Sequence, residues 1–188
     1  MIWWEKHVEY KFITGAKFDF AMPLAGPAEA ALSDLIFGEN DKLILIEFKR
    51  NFAAINSEKD KFKVSLEDAA FAVIDKPLCH YLIYGELNNS VLELKCSTYF
   101  SRQEISPQEV FNKGVPLDDF RSYCESLMLN RAPDKRCSGM FSFSGLEQVV
   151  GVTLQGSVKV ATFKEFLDKH HPHLSPAGEP APRRPKPV

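Results

Sequence analysis

The run Lys42-Leu-Ile-Leu-Ile-Glu-Phe-Lys49 constrains this chain more than any other segment. Four consecutive branched apolar residues suit a strand covered on both faces, because an exposed face would break the run with polar residues. A strand of that kind needs a layer of structure on each side, which points to an α/β architecture. The run then ends in a carboxylate and an ammonium two residues apart. On a strand those side chains leave the same face. Charges at the end of a buried strand are costly to desolvate unless they have partners or a task.

The surroundings of that strand support the layered reading. Trp4, Val8 and Phe12 recur at four-residue spacing, which predicts a first helix, with Glu5 and Glu9 on the adjoining stripe and Gly15 ending it. Residues 18–30, with two prolines and a glycine, read as an irregular loop. Residues 31–37 read as a strand, Gly38-Glu39-Asn40-Asp41 as a turn, and 42–49 as the returning strand of a hairpin. Phe62, Leu66, Ala69 and Val73 share a stripe and predict a helix over 57–75, closed by Pro77. Strands are expected from Cys79 to Tyr84, ended by Gly85, and from Val91 to Phe100.

Further along, Ser106-Pro107-Gln108-Glu109 is a strong helix start, and a helix is expected over 117–129 with Leu117, Phe120, Cys124 and Leu127 inward. Strand-like runs occupy 149–154 and 158–161, and Thr162-Phe163-Lys164-Glu165 opens a last helix to about His170. Six of the twelve prolines fall in 172–188, a segment with little to bury that reads as a disordered tail. Its basic end, Arg183, Arg184 and Lys186, makes it a candidate docking peptide for a partner protein. The domain plan is a core over 1–100, accessory elements over 101–171 packed on the same domain, and the tail.

Composition bounds the function. With 23 Lys+Arg against 25 Asp+Glu, the 188-residue chain has no bulk positive charge, so any nucleic-acid contact must be a local surface. No apolar run reaches the roughly 20 residues of a membrane helix. The start of the chain lacks secretory features, and the four cysteines show no C-x-x-C pattern, so a cytoplasmic location and buried, reduced thiols are expected. There is no P-loop, G-x-G-x-x-G or G-x-S-x-G. His170, His171 and His173 sit where helix meets tail and read as an incidental cluster.

The chemistry therefore concentrates on Asp34, Glu47 and Lys49. A turn centred between Glu39 and Asn40 puts Asp34 opposite Leu45 and diagonal to Glu47, about 7–8 Å away. Carboxylates so placed can reach one hard divalent cation such as Mg²⁺ (or Mn²⁺). Lys49 would reach the edge of the same site, to orient a water or stabilise charge on a phosphate. The competing reading is a structural ion pair. Arg50, Lys59, Lys61 and Lys63 follow as a basic run that suits either a solvated face or a track for phosphates.

Ser33-Asp34 followed by Glu47-Phe48-Lys49 resembles the signature of the PD-(D/E)xK nuclease superfamily, with its restriction-endonuclease-like fold. The resemblance covers about residues 1–87. Ser33 stands where the motif has Pro, and the helix over 57–75 lacks the Gln-x-x-x-Tyr of the RecB-like branch. The resemblance implies a mixed sheet flanked by helices, whose first strand lies around Lys17–Met22 or is 31–37 itself. It implies Asp34, Glu47 and the Phe48 carbonyl as metal ligands, Lys49 as a catalytic group, and a further acid from the first helix, Glu9 or, in its place, Glu5. The activity implied is hydrolysis of phosphodiesters, in DNA before RNA, by a homodimer or part of a larger assembly. The alternative is a catalytically inactive fold of the same kind that binds nucleic acid or protein.

Overall fold

A computed structural model describes residues 3–16, 18, 20–24, 26–39, 42–132, 149–153 and 158–161. The predicted last helix, the histidine cluster, Cys137 and the proline-rich tail lie outside the described residues.

The elements in chain order are α1 (Glu5–Gly15), β1 (Phe20–Pro23), α2 (Pro27–Ala31), β2 (Leu35–Glu39), β3 (Lys42–Lys49), a 3₁₀ helix (Phe52–Lys61), α3 (Leu66–Phe71), β4 (His80–Asn88), β5 (Val91–Thr98), β6 (Glu104–Ile105), α4 (Pro107–Val110), α5 (Leu117–Asn130), β7 (Val149–Thr153) and β8 (Val158–Ala161). The strands form one mixed sheet in the order β6-β5-β4-β3-β2-β1-β7-β8. All its pairings are antiparallel except β3 with β4, which run parallel from Leu45↔His80 to Lys49↔Tyr84. A parallel pair needs a crossover, and the 3₁₀ helix and α3 supply it.

β3 is buried along its whole length after Lys42. Leu43 and Leu45 belong to one core cluster with Phe120, Tyr123 and Leu127 of α5, Ile55 of the 3₁₀ helix and Ala69 of α3. Ile44, Ile46 and Phe48 belong to a second, with Val8 and Phe12 of α1 and Phe37 of β2. The alternation of the strand thus feeds two layers, as the unbroken apolar run requires.

Four sequence expectations are corrected. The segment 18–30 is not a loop throughout: β1 pairs with β2 from Phe20↔Gly38 to Pro23↔Leu35, and α2 follows with Pro27 at its first position. The second strand starts at Leu35, four residues later than expected, because Ala31 is still helical. The helix over 57–75 is two elements. The chain turns extended at Phe62, where Lys63 N donates to the Asn130 carbonyl and Ala132 N to that of Lys61, and Ser65 then caps α3 by accepting from Asp68 N. Strand β4 runs past Gly85 to Asn88 and turns into β5 through Asn89 and Ser90, both with positive φ, as a two-residue hairpin turn of this twist demands.

Gly85 has a packing role instead. A Cβ there would stand 2.8 Å from the Trp3 indole nitrogen and 3.0 Å from the Arg50 carbonyl oxygen. Only glycine lets the start of the chain fasten across β4 at the carboxyl end of β3. The other expected elements form: α1, β5, the capped start of α4, α5 with its four named residues buried, and the pair β7–β8. Cys79, Cys96 and Cys124 are buried free thiols, and burial raises their pKa values. Among the described residues no helix is long and apolar enough to cross a membrane.

Candidate functional site

The β2–β3 register pairs Leu35 with Ile46 and Glu39 with Lys42, two residues away from the expected register. Asp34 therefore sits level with Glu47, just ahead of β2, and not opposite Leu45. Its amide donates to the Ile46 carbonyl at 3.1 Å, and its Oδ2 accepts from the Phe48 amide at 2.6 Å. Asp34 is thus tied to the residue between Glu47 and Lys49. The two-residue correction brings the triad closer than the sequence reading had it.

Glu47 and Lys49 project from β3 on the side of the 3₁₀ helix and α5. Glu47 is fully buried and Lys49 is 6 % exposed. Both oxygens of Glu47 are engaged. Oε2 accepts from Ser33 Oγ at 2.8 Å, and Oε1 pairs with the ammonium groups of Lys49 and Lys61. Glu58, also fully buried, completes the group: its Oε1 lies 2.8 Å from Lys49 Nζ and 3.2 Å from Lys61 Nζ, and its Oε2 accepts from the Tyr99 hydroxyl. Two carboxylates and two ammonium groups alternate in a compact square, buried at Glu47, Glu58 and Lys49 and partly open to solvent at Lys61, and the alternation is what makes the buried charge tolerable.

A second tier supports the first. His80, on β4, lies with Nε2 3.3 Å from Ser33 Oγ and Nδ1 3.0 Å from the Tyr123 hydroxyl. Ser33 spends its proton on Glu47, a carboxylate that can only accept, so its oxygen accepts from His80. This assigns the proton to Nε2 and makes Tyr123 the donor to Nδ1. Burial lowers the pKa of His80 well below its ordinary value, with Arg131 next in effect, so the ring stays neutral. It stacks on Tyr99 at 3.7 Å between centroids. Arg131, at the end of α5, donates to the Tyr99 hydroxyl at 3.2 Å and to the Leu32 carbonyl, and lies over Phe62.

Electrostatics separates the acids. Burial first, then the Glu47 charge, push Asp34 up to about 8, against the bond from Phe48 N. Burial acts on Glu58 in the same sense, but Lys61 and Lys49 outweigh it and hold Glu58 at about 2. Burial pulls the Lys49 ammonium down, and Glu47 and Glu58 more than reverse that, so Lys49 remains a cation.

The remaining candidates fall as follows. Glu9 is buried and paired with Lys6, whose ammonium also feels Asp34. Glu5, one turn earlier, is the acid of α1 that couples to the square: burial raises its pKa, while Lys49 and Lys61 oppose and Glu47 and Glu58 reinforce the shift. Arg50, Lys59 and Lys63 are exposed, but Lys61 turns inward and is part of the square. Glu58, Tyr99, His80, Tyr123 and Arg131 were not singled out by sequence. The one usable signal was Glu58 three residues before Lys61, a spacing that puts an acid and a base on one helical face.

Among the described residues no three His, Cys, Asp or Glu side chains converge as metal ligands. An ion here would rest on Asp34, Glu47 and a peptide carbonyl such as that of Phe48, with water completing its shell. That all-oxygen set suits Mg²⁺ or Mn²⁺. Two crowded carboxylates, one pushed towards its protonated form, are the electrostatic condition that a divalent cation relieves. Compared with protein-family models, curated proteins and solved structures, the chain matches none of them.

Proposed function

We propose that this chain is a metal-dependent nuclease of the restriction-endonuclease-like kind that hydrolyses phosphodiester bonds in DNA. The observation that carries the reading is the bond from the Phe48 amide to Asp34, which fixes the Asp carboxylate against the Glu-x-Lys strand end at the carboxyl end of a parallel pair. Ligand sites in α/β sheets gather at such strand ends.

In this reading Asp34, Glu47 and the Phe48 carbonyl hold the ion. Bound Mg²⁺ supplies a Lewis acid for phosphate oxygens and lowers the pKa of a ligated water. Lys49 stays protonated, so it acts as a cationic hydrogen-bond donor to the water or to charge developing on the phosphate, and not as a base. Lys61 adds a second ammonium on the same oxygen of Glu47. Ser33, backed by His80, keeps Glu47 from rotating. Glu5 closes the site on the α1 side, and Arg50, Lys59 and Lys63 offer exposed cations to the phosphate backbone.

One observation favours a second reading. Glu47 is fully buried and both its oxygens are satisfied by the chain itself, a closed arrangement that would suit an inactive fold retained for binding. Plasmid, linear and single-stranded DNA incubated with Mn²⁺, alongside calorimetric ion titration, separate the two. For a nuclease, Asp34→Asn removes ion binding and cleavage, whereas Lys49→Ala keeps the ion and loses about 10²–10³ in rate. Wild-type protein that binds no ion and cuts nothing, with substitutions that only lower the melting temperature, would establish the binding fold.

A further inference from the structure

At the carboxyl end of β3 the residues ahead of α1 and those leaving β3 form an aromatic cluster, exposed at Trp4 and Phe52. Its tryptophans, Trp3 and Trp4, are the only two in the sequence. Trp3 Nε1 donates to the Arg50 carbonyl at 2.8 Å, which anchors the start of α1 to the residue after Lys49. The Arg50 guanidinium lies 5.7 Å from the Trp3 ring centroid and 5.9 Å from that of Trp4. Trp4 is 62 % exposed and Phe52 is 61 % exposed. Phe52 opens the 3₁₀ helix that delivers Glu58 and Lys61, and it meets the Tyr84 ring edge-on at 5.6 Å. Tyr84 in turn is the register partner of Lys49. Trp3, Trp4 and Arg50 each lie within two residues of Glu5 or Lys49, and Phe52, three residues past Lys49, packs on the residue that pairs with it.

Large exposed rings are costly to hydrate, and these are held in place by an indole hydrogen bond, a guanidinium and a neighbouring ring. Exposed flat apolar faces beside a cation fit a strand whose bases are unpaired, since each ring can take a base face and Arg50 a phosphate. A duplex hides its base faces in its own stack and would meet only the cation.

Resting on the nuclease reading, we infer that the strand end formed by Trp3, Trp4, Arg50 and Phe52 is a stacking platform for single-stranded DNA, so that the substrate reaches Lys49 unpaired. Trp4 and Phe52 take bases, and Arg50, oriented by the two indoles, takes the phosphate between them.

The test measures binding, with EDTA present so that cleavage plays no part. A labelled thymidine oligonucleotide of about twelve residues, within the site sizes of stacking proteins, is titrated by anisotropy beside its duplex with the complementary strand. The single strand should bind at least about tenfold more tightly and quench the tryptophan emission. Trp4→Ala and Phe52→Ala should each weaken it by about ten- to a hundredfold, with Trp4→Phe restoring most of the loss because it keeps a ring. Both positions are exposed, so unchanged melting temperatures confirm that the variants are folded. Equal affinity for duplex, or Ala variants that bind like wild type, would overturn the platform and leave the rings to a protein partner. Wild-type protein that binds the single strand through these rings but cuts nothing in Mn²⁺ supports the platform while refuting the nuclease reading.

Discussion

The two faces of β3 are built on opposite principles. Towards α1, Ile44, Ile46 and Phe48 enter a layer of hydrocarbon in which Phe12 meets Phe37, Phe48 and Phe111 at 5.2–6.0 Å between ring centroids. Towards the 3₁₀ helix and α5, the same strand begins with Leu43 and Leu45 and ends with Glu47 and Lys49 in a buried polar network. One face gains from every apolar contact and tolerates substitutions of similar volume. The other gains only while each charge and hydroxyl has its partner, and removing one strands the rest. The strand thus joins a face that supplies stability to a face that supplies geometry.

The largest effect is expected on the apolar face. Phe12→Ala opens a cavity among three rings and should cost about 3–5 kcal/mol, read by thermal or denaturant unfolding. It should leave the titration of Asp34 largely unchanged, because Phe48 bonds that carboxylate through its backbone amide and meets Phe12 only through its ring. On the polar side, Glu58→Gln removes one corner of the square and leaves two ammonium groups sharing Glu47. A loss of about 3 kcal/mol is expected, although almost no volume changes. If Glu58→Gln proves neutral, the square is not a unit.

A subtler difference lies in pH. Asp34 has its folded pKa raised from 3.8 to about 8, so the folded state holds the proton more tightly and stability falls as pH rises between those values. His80 has its folded pKa depressed, so stability rises with pH up to its ordinary value near 6.5 and is flat beyond it. The two slopes oppose each other below about 6.5, and Asp34 acts alone from there to about 8, by at most about 1.4 kcal/mol per pH unit. Asp34→Asn should abolish that decline and expose the rising His80 limb, as seen in unfolding curves taken from pH 5 to 8. The smallest effect is expected at Lys59 and Lys63. Their replacement by Ala should change stability by no more than about 0.5 kcal/mol and weaken DNA binding only in a salt-dependent manner.

The same contrast explains what could be read in advance. Periodicity reports burial, so the apolar face was legible: β3, the Val8–Phe12 stripe and the inward residues of α5 all follow from spacing. Glu47 and Lys49 were legible because charge interrupts an apolar run. Asp34 was found, but its register was misjudged by two residues, since Gly38, Asn40 and Asp41 are all good turn residues and spacing alone does not choose among centres. The break between the 3₁₀ helix and α3 was signalled by Ser65 and Asp68, a capping pair that the apolar stripe masked. The network partners were not legible, because a His on a strand, a Tyr after one and an Arg past a helix end have no pattern until tertiary structure brings them together.

The place of β1 in the sheet has a consequence for the life of the chain before it is folded. Its inner edge is taken by β2, which follows within a dozen or so residues, but its outer edge waits for β7, paired through Phe20↔Thr153 and Ala21↔Val152. That partner emerges from the ribosome about 130 residues later, a delay on the order of ten seconds at common elongation rates. Throughout it, a short apolar strand offers unpaired amides and carbonyls to any other strand nearby. Pro23, with no amide hydrogen, blunts one end of that edge. The seam between the first strand and the seventh therefore joins the pair of neighbouring strands farthest apart in the sequence, and the waiting edge of β1 is where the nascent chain is prone to misassociation.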